Sequence, residues 1–292
     1  MILFRDAIRT QKFVLSADLA LDRSSDAARV NAQARVLASV FDAVQVPDCP
    51  GGRLQMSAQA AAQVLLHAGV DPVVHLSGRD RNRIALESDL LGLGVAGVSS
   101  VVLMRGEELP SDYKPETRQV FELSAVDLIT VARQLAEDES VAGVPGFLIG
   151  TTTTVFNPKS DWQPLALQSR VDAGAHFIQT QLCFNMKALR RYMEHLVAAQ
   201  ITWRCALLVG VAVLPSARSA RWLQENLRGS RLPEKYVRRL AQAKDPEQEG
   251  IMICAEILQI LQDIPGVSGA NLMTPGDPAI LVEAVQMSGL RN

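Results

Sequence analysis

The 292-residue chain lacks any run of about 18 apolar residues, the length that a helix needs to cross a membrane. Its N-terminal segment does not resemble a secretory signal, because charged side chains interrupt the apolar stretches at Arg5, Asp6, Arg9 and Lys12. The formal net charge is −2 and the two signs are interspersed, so no overall basic surface is offered to nucleic acid or to an anionic membrane. We therefore expect a cytoplasmic protein that binds neither nucleic acid nor a membrane.

Cysteine is also scarce. The four cysteines, Cys49, Cys183, Cys205 and Cys254, are widely spaced and form neither a CxxC pair nor a Cys/His ligand set. This pattern favours buried thiols in a reducing compartment over a disulfide framework, and it predicts no bound metal.

No GxGxxG motif follows the first apolar run, so a dinucleotide-binding sheet is not indicated. Eight short apolar, β-branched runs instead alternate with helical patterns. The predicted strands cover residues 13–19, 42–47, 71–77, 100–105, 144–151, 176–183, 206–214 and 266–273. Eight such units predict an α/β fold, a (β/α)8 TIM barrel forming a single domain over residues 1–292. The polar stretch 215–250 predicts extra helices after strand 7, and an open parallel sheet is the alternative.

In a barrel of this kind, functional side chains lie on the loops that follow the strands. Candidates at these positions are Asp18, Asp48, His75, Ser77, Arg79, Asp80, Arg105, Gly106, Glu107, Gln179 and Gln181. Several also have structural interpretations. Asp18 could mark the entry of the first helix, Asp80 could cap the third, and His75 could be a core imidazole. Arg105 and Glu107 could simply pair with each other.

Three segments carry a resemblance to a known family. They are "FDAVQVPDCPGGRLQMS", "HLSGRDRNRIALESDLLGLGVAGVSSVVLMRGEELP" and "SRVDAGAHFIQTQLCFNMKALRRYMEHL". In order and spacing they resemble the methylenetetrahydrofolate reductases, in the bacterial form that has only the catalytic barrel. The resemblance implies FAD at the C-terminal ends of the strands. It also implies that NADH or NADPH reduces the flavin, which then reduces 5,10-methylenetetrahydrofolate to 5-methyltetrahydrofolate.

The resemblance also implies roles for individual residues. Asp18 corresponds to a carboxylic acid that protonates the folate. The implied flavin contacts are His75, Arg105, Gly106, Glu107, Ala125 and Arg170. The implied substrate contacts are Glu107 and Gln181. A homo-oligomer is expected.

The chain departs from the family pattern at several of these positions. Asp18 occupies the position where the family has a glutamate, and Glu107 the position where the family has an aspartate. One acid is therefore shorter, and the other longer, than the family residue. Pro47 occupies the position of a family threonine, and the segment after strand 5 lacks the tyrosine and histidine that the family has there. Asp277 lies near the position of an arginine that contacts the folate tail.

Two further functional hypotheses stay open beside the reductase. One is a folate-binding homologue that works without tightly bound flavin or on another one-carbon carrier. The other is a catalytically silent partner subunit of a methyl-transfer system.

Overall fold

The computed structural model describes residues 3–141, 146–226, 232–274 and 276–291. Eight strands run through these residues. Their bounds are Val14–Asp18 (β1), Ala43–Val46 (β2), Pro72–Ser77 (β3), Ser100–Met104 (β4), Leu148–Thr153 (β5), Phe177–Leu182 (β6), Ala206–Ala212 (β7) and Gly269–Met273 (β8). Each overlaps a predicted strand, although residues 144 and 145 of the fifth prediction lie outside the described residues.

The strands form a closed parallel barrel in sequential order, with β8 pairing back onto β1. Ser16 lies beside Ala43 of β2 on one side and beside Asn271 of β8 on the other. The predicted (β/α)8 barrel is therefore confirmed, and the open-sheet alternative is wrong.

Helices surround the barrel. Their bounds are Phe4–Thr10 (α1), Ala27–Leu37 (α2), Ala58–His67 (α3), Arg83–Val95 (α4), Ala125–Glu137 (α5), Leu165–Ala173 (α6), Met186–Ala198 (α7), Ile201–Arg204 (α8), Ala217–Asn226 (α9), Glu234–Gln242 (α10), Pro246–Gln262 (α11) and Ala279–Ser288 (α12). The extra pair predicted after strand 7 is present as α9 and α10. No helix in the described ranges is long and apolar enough to cross a membrane.

Short polar side chains start several of these helices, as N-cap chemistry requires. The Asp26 carboxylate accepts the Arg29 backbone N–H at the start of α2, so Asp18 is not the residue that caps this helix. Asn82 accepts the Ala85 N–H at the start of α4. The sequence-based assignment of that cap to Asp80 was wrong, because the Asp80 carboxylate instead binds the Arg79 guanidinium.

The barrel interior has an apolar floor and a polar layer above it. Phe4 of α1 packs edge-on against Phe177 of β6, with ring centroids 5.4 Å apart. Around them pack the first inward-facing side chains of the strands, Val14, Ala43, Val73, Val102, Leu148 and Leu208. Side chains in a strand alternate between the two faces, so the next inward positions include Ser16, Gln45, His75 and Gln179. The polar side chains therefore lie toward the C-terminal mouth, above an apolar layer that α1 completes.

Candidate active site at the C-terminal mouth

Asp18 ends β1 and is the inward-facing acid nearest to the polar layer. Its side chain is partly buried, and the Asn271 amide nitrogen donates a hydrogen bond of 2.8 Å to its Oδ1. Removal from water raises the pKa of Asp18 from 3.8 to about 7, and the Asn271 hydrogen bond opposes part of that rise. A carboxyl group with this pKa holds and releases a proton near neutral pH, which is the property that a general acid needs.

His75 lies deeper in the same interior. Its Nε2 lies 2.6 Å from the Gln45 Oε1, and the Gln45 amide nitrogen donates to the Ser16 hydroxyl at 2.8 Å. Burial lowers the pKa of His75 to about 4, so the imidazole is neutral at physiological pH. His75 is therefore a hydrogen-bonded interior group that connects to the Asp18 side of the mouth through Gln45.

Asp48, which follows β2, joins the exits of β2 and β3. Its Oδ2 accepts the Ser77 backbone N–H at 2.9 Å and the Arg81 guanidinium at 2.6 Å. Arg81 reaches a second carboxylate as well, Asp89 of α4, at 2.9 Å. This arrangement fixes the loop after β3, and it gives the charged "GRDR" segment a structural role.

The residues after β4 form the outer part of the rim. Gly106 has φ of +90°, and a Cβ there would collide with the Ser77 Oγ, so this position requires glycine. Arg105 stacks on the Phe121 ring with 3.8 Å between the guanidinium carbon and the ring centroid. Its ion-pair partner is Glu108, at 3.7 Å, so the alternative Arg105–Glu107 pair was wrong. Glu107 is exposed and forms no ion pair within the described part of the chain.

Two predicted cofactor contacts lie on helices at the barrel wall. Ala125 is the first residue of α5 and is buried, behind the Ser124–Asp127 capping box. Arg170 of α6 donates a hydrogen bond of 2.5 Å to the carbonyl oxygen of Thr152 near the end of β5. No carboxylate pairs with this half-buried guanidinium among the described residues, and burial lowers its pKa. Arg170 is therefore a cation near the end of β5 that no carboxylate of the described residues pairs with.

The end of β6 is irregular. The β6–β7 register shifts between Gln179 and Leu182, so β6 carries an extra residue at a β-bulge. Gln181 lies in the bulge and is partly exposed, whereas Gln179 is buried and its Oε1 has no hydrogen-bond partner. The sequence predicted Gln181 as the substrate contact and noted Gln179 only as a neighbour. An unpaired buried acceptor costs free energy unless another group supplies a donor, so Gln179 is a second candidate contact.

The structure thus connects some predicted residues and separates others. Asp18 and His75 share one interior network. Gly106 packs against the β3 exit, while Arg105 and Glu107 lie on the exposed rim. The residues that connect Asp18 to His75 are Ser16, Gln45 and Asn271, and sequence reasoning missed all three. Their one available signal was a polar side chain at an inward position of a strand that is otherwise apolar.

Comparison with protein families settles the kinship of the chain. The model of the family described as methylenetetrahydrofolate reductase matches residues 3–277, which is most of the sequence. The chain belongs to this family. The match includes all eight strands and every mouth residue described above, so the predicted resemblance is confirmed.

Individual relatives of the family are distant. Over 151 residues the chain is 27% identical to the 5,10-methylenetetrahydrofolate reductase of Buchnera aphidicola, covering 51% of this chain and 48% of the relative. Over 142 residues it is 25% identical to a probable methylenetetrahydrofolate reductase (NADPH) of Caenorhabditis elegans, covering 49% of this chain and 20% of the relative. The matches therefore span less than half of each relative.

A solved structure confirms the fold over the whole length. A Clostridium thermocellum protein described as binding two copies of 5-methyl-5,6,7,8-tetrahydrofolic acid superposes with a TM-score of 0.69 at 11% identity. The superposition covers 99% of both chains. At this identity the likeness establishes a shared fold.

Proposed function

We propose that the chain is a flavin-dependent reductase that uses NADH or NADPH to convert 5,10-methylenetetrahydrofolate to 5-methyltetrahydrofolate. Family membership supports the reaction class. The observation that carries the proposal is Asp18, a carboxyl group at the barrel mouth whose pKa burial raises to about 7. Such a group can protonate a folate nitrogen at physiological pH, as opening of the one-carbon bridge requires.

The residues at the mouth fit FAD in one specific respect. A bound diphosphate would place negative charge near the wall, and Arg170 is a half-buried guanidinium without a carboxylate partner in the described ranges. When bound, the flavin would supply the hydride-transfer chemistry that the side chains of the protein cannot perform. Arg170 would hold the phosphates, and His75 would face the ring system as a neutral imidazole.

The folate side of the reaction relies on the chain's own groups. Asp18 would hold the transferable proton, and Gln181 at the bulge together with the unpaired Oε1 of Gln179 would meet polar atoms of the substrate. Asp18 is one methylene shorter than the family glutamate, and this shortening requires the folate to approach β1 more closely. Misplacement by about 1 Å can cost on the order of 100-fold in rate, so the mouth must hold the substrate tightly against β1.

A specific observation favours the second candidate, a folate-binding protein without tightly held flavin. Arg105 already stacks on Phe121 and pairs with Glu108, and Glu107 is exposed. Two of the predicted flavin contacts are therefore engaged elsewhere or exposed. The structural neighbour that binds 5-methyltetrahydrofolic acid is consistent with this alternative.

Half-reaction measurements on the purified protein separate the hypotheses. The reductase predicts the visible absorption of bound flavin, bleaching by NADH or NADPH, and reoxidation by methylenetetrahydrofolate. In Asp18→Asn, bleaching should persist while reoxidation by folate is lost, since a general acid acts only in the second half. Equal loss of both halves would contradict the acid role. Tetrahydrofolate binding without flavin binding would favour the second candidate, and binding of neither would leave the silent partner subunit.

A further inference from the structure

Four hydrogen bonds connect Asp18 to His75 through residues of four strands, β8, β1, β2 and β3. Asn271 donates to the Asp18 Oδ1 at 2.8 Å, and the Ser16 hydroxyl lies 2.8 Å from the Asn271 Oδ1. The Gln45 Nε2 lies 2.8 Å from the Ser16 Oγ, and its Oε1 lies 2.6 Å from the His75 Nε2. Ser16, Gln45 and Asn271 are fully buried, so water does not substitute for these contacts.

When Asp18 is ionised, the chemistry of the groups allows only one donor-to-acceptor direction along these four hydrogen bonds. A carboxylate only accepts, so Asn271 must present its N–H and turn its carbonyl oxygen toward Ser16. The Ser16 hydroxyl must then donate, which leaves its oxygen to accept from the Gln45 amide nitrogen. The Gln45 carbonyl oxygen consequently accepts from the His75 Nε2–H. Every donor lies on the His75 side of its acceptor, and such aligned chains strengthen each member.

We propose that Asn271 is a positioning residue that reserves the Asp18 Oδ2 for the exchangeable proton, and that Ser16, Gln45 and His75 hold Asn271 in the donating orientation. The Oδ1 is occupied as an acceptor, so protonation occurs on Oδ2. This inference rests on the proposed function, in which Asp18 donates that proton. It means that residues of β8 and of the barrel interior determine which oxygen of Asp18 carries the proton.

Among the described residues, no charged side chain hydrogen-bonds or ion-pairs with Asp18 in competition with this hydrogen-bonded network. Its barrel neighbours across β2 and β8 present Gln45 and Asn271, which do not titrate. Asp48 beyond β2 is paired with Arg81, and Asp22 beyond β1 is paired with Arg29. Apart from Asp18 itself, His75 is the one titratable group among these hydrogen-bonded residues, and it lies at the opposite end from Asp18.

Carbon-13 NMR titration of the aspartate carboxyl carbons tests the proposal on the full-length protein, with Asp18→Asn identifying the Asp18 signal. Asn271→Ala removes the donor and is expected to raise the Asp18 pKa by about one unit. Ser16→Ala leaves Asn271 in place but breaks the next link, and it should raise the Asp18 pKa in the same direction by a smaller amount. The second variant removes a single oxygen atom, so it also serves if Asn271→Ala does not fold.

Ser100→Ala is the matched control, because Ser100 is also a fully buried serine on a barrel strand but bonds only to Ser99. It should leave the Asp18 pKa unchanged. An unchanged Asp18 pKa in Ser16→Ala would overturn the proposal, as would an equal shift in Ser100→Ala. The titration needs neither flavin nor folate. Failure of the reductase assignment would appear separately, in the parent protein, as no bleaching of a bound flavin by NADH or NADPH and no reoxidation by methylenetetrahydrofolate.

Discussion

At the scale of single residues, the side-chain amide of Gln179 differs from a buried amide that only stabilises the fold. Its Oε1 is buried without a donor, whereas the buried amide of Gln33 is fully paired with the Ala20 backbone, at 2.9 and 3.0 Å. Leaving an acceptor unpaired costs about 1–3 kcal/mol, so Gln179→Met should keep or increase the free energy of unfolding by about 1 kcal/mol. Gln33→Met, the matched control, should lower it by about 2 kcal/mol. Urea titration of the ligand-free proteins measures both values.

The same pair of variants shows whether a ligand supplies the missing donor. If it does, tetrahydrofolate will raise the melting temperature less in Gln179→Met than in the parent protein, because that hydrogen bond is lost. Equal destabilisation of the free protein by both substitutions would instead mean that Gln179 is already satisfied by an internal water.

At the scale of elements, one buried carboxylate joins the loops after β2 and β3. Asp48 is buried and binds both the Ser77 N–H and the Arg81 guanidinium. Asp48→Asn removes the charge that balances Arg81 and is expected to lower the free energy of unfolding by about 3 kcal/mol. The exposed Asp172–Arg204 pair provides the comparison, since Asp172→Asn should cost less than about 1 kcal/mol. A small, equal loss in both variants would show that the Ser77 carbonyl oxygen and the Asp89 carboxylate, which Arg81 also contacts at 3.4 and 2.9 Å, hold Arg81 without the Asp48 charge.

The helices and strands also show how much of the fold could be predicted from the sequence. Short, continuous apolar and β-branched runs, alternating with helical patterns, predicted all eight strands, because burial on both faces of a parallel barrel leaves a strong local signal. The Asn82 cap was missed because Asp80 and Asn82 are both good cap residues two positions apart, and the Arg79 side chain decides between them. Gln179 was among the strand-end candidates, but the missing partner of its Oε1 depends on the packing around it and leaves no mark in the sequence.

At the scale of the whole molecule, barrel closure creates the site chemistry. Ser16 and Asn271 are 255 positions apart in sequence and meet only because β8 pairs with β1. No local pattern could therefore predict the series of hydrogen bonds from His75 to Asp18, although the resemblance indicated both of these end residues. The N-terminal helix α1 completes the apolar floor, and the polar layer lies above it toward the mouth. The whole fold thus keeps Asp18 away from bulk water, which raises its pKa.

That raised pKa must appear in the stability of the molecule. Between pH 3.8 and about 7 the folded protein keeps a proton on Asp18 that the unfolded chain has lost. The stability that this proton contributes is present at low pH and is lost as the pH rises through about 7. Asp18→Asn keeps the acceptor for Asn271 but cannot ionise, so its advantage over the parent protein should grow by about 2 kcal/mol between about pH 5 and about pH 8.

Urea unfolding of both proteins at the two pH values measures this difference. His75, whose pKa burial lowers to about 4, is present in both chains, so its own pH dependence cancels in the comparison. A constant difference across the range would mean that Asp18 is already ionised at the lower pH. The barrel would then present a carboxylate at its mouth, and a general-acid role for Asp18 would be excluded, because a group that has lost its proton cannot donate one to the folate.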